Sequence, residues 1–191
     1  MARYDREHKQ QTRQRIVEAA GRRLKADGID GSGVSTLMAD AGLTNGAFYA
    51  HFASKEDLVG EAVTAELRRQ TEDVLGNVNN REELEQFVRN YLSPEHRDHR
   101  ADGCPSAALL DELGRCGDAT RQAYTAAVVE LLGRLAAVLG EVGPETRVRV
   151  SSAYALMIGT IQLSRSLTDT ELADAVLEEG VRNVLGILEL R

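Results

Sequence analysis

Proline, tryptophan and cysteine are what this chain has least of: three, none and two in 191 residues. Few prolines and few β-branched clusters, beside abundant Ala, Leu, Glu and Arg, exclude a strand-rich fold and imply an almost entirely helical, all-α chain. No apolar run approaches membrane length, so 42% hydrophobic residues read as a soluble globular protein with no membrane partner. The charged start Met1-Ala-Arg-Tyr-Asp5 has no apolar segment of the kind a secretion signal needs. No glycine-rich phosphate loop, nucleophile elbow, paired-carboxylate motif or zinc-binding helix is visible, which argues against an enzyme and against a bound metal or cofactor. Cys104 and Cys116 are not expected to pair. A mostly helical segment would hold them about 18 Å apart, against a roughly 7 Å limit between the Cα atoms of a disulfide.

Basic residues are also outnumbered, 23 to 30, and the net charge of −7 is wrong for a nucleic-acid binder until it is divided. Residues 1–55 hold nine Lys and Arg against six Asp and Glu, net +3, while the remainder holds fourteen against twenty-four, net −10. A small basic head on an acidic body concentrates attraction for a polyanion at the head and repels it elsewhere.

What is present within that head is a motif. Val34, Leu37 and Ala41 fall at helical spacing, and Gly42 stands where a helix stops in the left-handed region. Leu43 then turns inward, and Thr44 can cap a second short helix whose Ala47 and Phe48 face the core. This is the layout of a helix-turn-helix, whose second helix enters the major groove with its N-terminal residues toward the bases. Thr44, Asn45 and Gly46 are left outside, and Tyr49 and His51 can donate to phosphates. Ala47 and Asn45 are the candidate base readers, through a thymine methyl and through a bidentate contact to adenine. Ser35 and Thr36 on the first motif helix are further candidate DNA contacts. Lys55 opens the next helix, where its charge and the free N–H groups both attract a phosphate.

The run Ala41-Gly42-Leu43-x-x-Gly46-x-x-Tyr49-x-His51-Phe52-x-x-Lys55-Glu56-x-Leu58 resembles the signature of the TetR family of bacterial transcriptional regulators. The likeness is close over the first third of the chain; beyond it, only length and helical character agree. Met38 departs from the pattern, where a small alanine is usual. Gly33 departs too, where a capping Thr or Ser is common, leaving Ser32 or Ser35 to cap. The resemblance implies a three-helix DNA-binding head over residues 1–53 and a ligand-binding, dimerising body over 54–191. It further implies a cytoplasmic homodimer that binds a palindromic operator in double-stranded DNA and responds to a small-molecule effector.

Beyond the head, periodicity predicts a connecting helix near Ser54–Leu75, with Ser54 and Asp57 as a capping box. Further helices are expected at Arg81–Leu92, from Pro105 through Leu113, from Asp118 through Leu139, and near Glu145–Ser166 and Asp169–Leu190. Glu95–Gly103 reads as a polar loop. A largely apolar effector is expected between the connecting helix and the three that follow, lined by Leu67, Phe87, Tyr91, Cys104, Leu110, Tyr124, Val128, Met157 and Ile161. Such stripes equally describe plain core. The small residues Ser152, Ala155 and Gly159, with Val176, Val184, Ile187 and Leu188 on the last helix, are read as a self-pairing surface. The resemblance implies a four-helix bundle there.

Cys104, in Asp102-Gly103-Cys104-Pro105, sits at a helix N-terminus, where a thiol pKa is lowered. Some TetR-like regulators sense electrophiles or oxidants through a Gly-Cys pair at this junction, so a thiol-sensing regulator is the alternative reading. A cysteine-dependent helical enzyme is the alternative of a different class. His96, His99, Cys104, Asp98 and Asp102 match no firm metal spacing.

Overall fold

All three prolines open helices. Pro94, Pro105 and Pro144 each occupy the first turn, where the missing N–H has no intrahelical acceptor to lose. The computed structural model describes residues 2–73, 75–140 and 143–190, which are helical and contain no strand. They form nine α-helices: α1 (Ala2–Asp27), α2 (Val34–Asp40), α3 (Lys55–Asp73), α4 (Arg81–Tyr91), α5 (Pro94–Asp98), α6 (Pro105–Leu113), α7 (Asp118–Val138), α8 (Pro144–Ser166) and α9 (Thr170–Ile187). Short 3₁₀ segments cover Asn45–Ala50, Leu75–Asn77 and Arg100–Asp102.

Most of the expected helices are found within a residue or two of their expected ends. Residues 95–103 differ: the expected polar loop holds α5 and a 3₁₀ turn. Ser93-Pro94 both ends α4 and starts α5, because the Ser93 hydroxyl accepts from the His96 N–H at 3.2 Å. The capping box at Ser54 is real in substance. Ser54 Oγ accepts from the Asp57 N–H at 3.1 Å, and the Asp57 carboxylate accepts from the Ala53 N–H at 3.1 Å. Neither serine caps α2. Its cap is Gly33 without a side-chain bond, and buried Ser32 instead donates to the Gly28 carbonyl at 2.7 Å.

Two apolar cores organise the chain. One lies in the body, where α4, α7, α8 and α9 converge on residues such as Leu84, Leu131, Met157 and Val184. The α8–α9 crossing is tight: a Cβ on Gly180 would lie 2.5 Å from Thr160 Cγ2. The other core starts in the head with Ile16, Leu24, Leu37, Met38, Phe48 and Phe52. It runs on through Leu58, Val63 and Leu67 of α3 to Leu109 and Leu113 of α6 and Ala127 of α7. Met38 is fully buried there.

Candidate functional site

The head presents a narrow polar edge. α2 ends as its sequence dictates: Gly42 adopts φ +68°, and the Leu43 N–H reaches back to the Met38 carbonyl at 2.9 Å. The second motif element, Asn45–Ala50, is a 3₁₀ helix rather than an α-helix, and Thr44 stands at its N-cap without a side-chain bond. Phe48 and Phe52, stacked at 5.7 Å, plug it into the head core. Ser35, Thr36, Thr44, Asn45 and Gly46 are exposed, and Ala47 is half-buried against the core. Tyr49 is 77% exposed, supported on one side by the edge of Phe48 at 5.1 Å. An aromatic so exposed on a well-packed element is available for contact.

His51 and Lys55 are less free. The His51 imidazole has an unpartnered buried Nδ1, and burial, together with Lys9 and Arg13 nearby, holds its pKa below the ordinary value. It is therefore a neutral ring. The Lys55 ammonium donates to the Ile29 carbonyl at 2.5 Å, which ties the loop before α2 to α3; among the described residues no carboxylate pairs with it. Arg13 of α1 lies over the Phe52 ring at 4.1 Å, donates to the His51 carbonyl and pairs with Glu61.

In the body, a cavity of about 390 Å³ opens between the C-terminal half of α3, α4 and the segment leading into α6. Phe87, Tyr91, Val78 and Pro105 give it apolar walls, while Glu66, Gln70, Glu83, Asn90 and Asp102 supply polar ones. Beneath it, Lys25 is buried and donates to Glu66 at 2.5 Å and to the Gly103 carbonyl at 3.1 Å; Arg69 adds a bond to the same Glu66 oxygen at 3.0 Å. Those cationic partners keep the Glu66 pKa low although burial opposes ionisation.

Comparison with known proteins agrees with this architecture. A family described as bacterial regulatory proteins, tetR family, matches residues 16–62, which span α1, the motif and the start of α3. Over those residues the chain carries the sequence pattern of that family. It is 38% identical over 61 residues to the HTH-type transcriptional regulator AcrR of Shigella flexneri, a match covering 32% of this chain and 28% of that one. The chain thus spans under a third of that relative's length. Whole-chain likeness is to solved structures. The reduced form of E. coli NemR superposes with TM-score 0.73 at 20% identity, covering 92% of this chain and 96% of that one. A TetR-family regulator from Cytophaga hutchinsonii gives TM-score 0.73 at 21% identity, covering 94% and 96%.

The expected effector lining is divided. Phe87, Tyr91 and Cys104 meet at the cavity. Leu67 and the half-buried Tyr124 belong to the head-side core, Met157 and Ile161 to the body core, and the half-buried Val128 packs against both. Leu110 is partly exposed elsewhere. The α-helical periodicity that suggested these residues was marking core.

Cys104 is 2% exposed and caps α6. Its thiol meets the Tyr154 hydroxyl at 3.2 Å, which donates to Ser106 Oγ at 3.0 Å, which in turn meets the Tyr124 hydroxyl at 3.0 Å. His96, weighed from the sequence only as a metal ligand or catalytic partner, instead closes this cluster. Its Nδ1 donates to the Tyr91 carbonyl at 2.7 Å and its Nε2 accepts from the Cys104 N–H at 3.0 Å, a pattern that requires the neutral ring. Burial, its largest influence, lowers its pKa accordingly. The ring also explains the glycine before Cys104, since a Cβ on Gly103 would collide with it. Both cysteines are free thiols.

On the outer side, Ser152, Ala155 and Gly159 form an exposed strip along α8, and a Cβ on Gly159 would touch nothing. Val148 and Leu163 on the same helix, and Leu172 on α9, are 66%, 52% and 50% exposed. Val176 and Ile187 of α9 are half-buried. Val184 and Leu188 correct the expectation: both lie in the core of the protomer, so the apolar band on α9 splits into an inner and an outer half.

Proposed function

We propose that this chain is a ligand-responsive, DNA-binding transcriptional regulator: a homodimer that represses from a near-palindromic operator and is released when a small effector occupies the α3–α4–α6 cavity. The observation that carries the reading is the head's exposed edge. Thr44, Asn45, Gly46 and Tyr49 stand clear of a segment pinned from behind by Phe48 and Phe52, as base- and phosphate-contacting side chains must. The functional division falls near residue 53, with α3 as the connection. Two such heads on a two-fold axis, paired through the outer faces of α8 and α9, multiply a weak single-head affinity. The effector acts by favouring a body conformation in which α3 holds the heads out of register with successive major grooves.

Selection of bound fragments from the genome of the source bacterium tests this. One discrete, near-palindromic sequence is expected, and recovery of none would remove the reading. A second reading is favoured by one observation, the presence of Cys104 in the cavity wall: covalent modification of the thiol in place of reversible occupancy. It predicts that operator release survives removal of excess reagent and is abolished in Cys104→Ser.

A further inference from the structure

Helix α1 is clamped near its C-terminus and at its middle, and the two clamps belong to the two sites just described. Near its C-terminus, Lys25, 1% exposed, donates to Glu66 at 2.5 Å and to the Gly103 carbonyl at 3.1 Å. One turn earlier, Arg22 meets Asp102 at 3.1 Å, and Gly21 lies so close to α3 that a Cβ would stand 2.8 Å from Glu66 Cγ. Glu66, Asp102 and Gly103 all line the cavity. Twelve residues earlier, about 18 Å along a continuous helix, Arg13 grips His51 and Phe52, the residues that end the exposed segment.

We propose that α1 carries the state of the cavity wall to the DNA-facing segment, with Lys25 as the positioning residue at the cavity end and Arg13 at the other. The reasoning is electrostatic. A buried ammonium cannot be left without its carboxylate, so displacement of Glu66 obliges Lys25, and α1 with it, to move. The Arg22–Asp102 pair, more than half exposed on each side, is too well solvated to impose the same constraint. This inference rests on the regulator reading for the roles of the cavity and of residues 45–50. It adds a second connection alongside α3.

Hydrogen exchange on the full-length protein, followed by mass spectrometry, tests it without operator or effector. Glu66→Gln keeps the shape of the cavity wall and removes its charge. Exchange at residues 45–52 should rise about tenfold, while residues 34–40 of α2, which share the head core, and residues 170–187 of α9 stay unchanged. Arg13→Met should raise exchange at 45–52 by itself, and Glu66→Gln added to it should contribute nothing more there, because the connection is already cut. Unchanged exchange at 45–52 in Glu66→Gln, or effects of the two substitutions that simply multiply, would overturn the proposal. Should Glu66→Gln fail to fold, Glu66→Asp, which retains the charge but withdraws it by one methylene, supports the same comparison. Failure to capture a discrete DNA sequence is a separate result and bears on the regulator reading alone.

Discussion

Replacing Gly159 by leucine should affect the protomer and the dimer in opposite directions. Within the protomer nothing lies within 4 Å of a Cβ at this position, and glycine in a helix interior costs about 0.8 kcal/mol relative to a good helix former. Each subunit should therefore be as stable as before or slightly more so. If α8 meets its symmetry mate along Ser152, Ala155 and Gly159, two new side chains enter one close contact, one from each copy. Overpacking costs about 1–3 kcal/mol per site, so the pair costs about 2–6 kcal/mol. That corresponds to at least roughly a thirtyfold weaker dimer. Sedimentation equilibrium across a dilution series reads the dimer constant, and circular dichroism melts of dilute samples read the protomer. An unchanged dimer constant refutes the assignment of this strip. A protomer that melts earlier refutes the claim that the position is open.

Four further outcomes are expected. Tyr49→Phe and Lys55→Ala should weaken binding to every DNA sequence, the lysine change also flattening the salt dependence, whereas Asn45→Ala should alter preference at particular base pairs; gel shifts at several salt concentrations distinguish these. Gly21→Ala should destabilise the fold although alanine favours helix, because its methyl meets Glu66 Cγ, and a raised melting temperature would contradict that packing. Acidification should weaken the fold around His96. Its folded pKa lies below the ordinary 6.5, so the unfolded chain binds the proton first, and stability present above 6.5 is lost as pH falls. Denaturant melts of His96→Gln should show a smaller loss between pH 7 and 5. Finally, Cys104, buried and bonded to Tyr154, should react slowly with iodoacetamide despite its helix-terminal position; labelling much faster than that of Cys116 would favour the thiol-sensing reading.

Much of the chain was legible because its punctuation is local. Gly42, Gly143-Pro144 and the Ser54–Asp57 cap each act within a few residues, and the structure has them where the sequence implies. Ser93-Pro94 was half legible: the same pair that forbids continuation of α4 also begins α5, and periodicity cannot register a five-residue helix. The expected effector lining was harder to read. Apolar positions at helical spacing identify a buried face without distinguishing a packed face from a hollow one, so Met157 and Ile161 were grouped with Phe87 and Tyr91. The polar wall of the cavity was invisible for a different reason. Lys25 and Glu66 are 41 positions apart, and nothing near either residue reveals that each is the other's partner.

The continuity of the head core has a consequence for how this protein can come apart. Ile16, Leu37 and Phe48 are covered by Leu58, Val63 and Leu67 of α3, and that layer is covered in turn by Leu109, Leu113 and Ala127. A fragment ending at residue 53 would lose the far wall of its own core. It should behave as a molten or unfolded peptide, and the smallest autonomous piece should include α3 at least. Heat or denaturant should then melt the head and the adjoining part of the body in one cooperative step. Stability lost in α6 or α7 should appear as stability lost in the head, so a substitution far from residues 45–50 can unfold them without touching them.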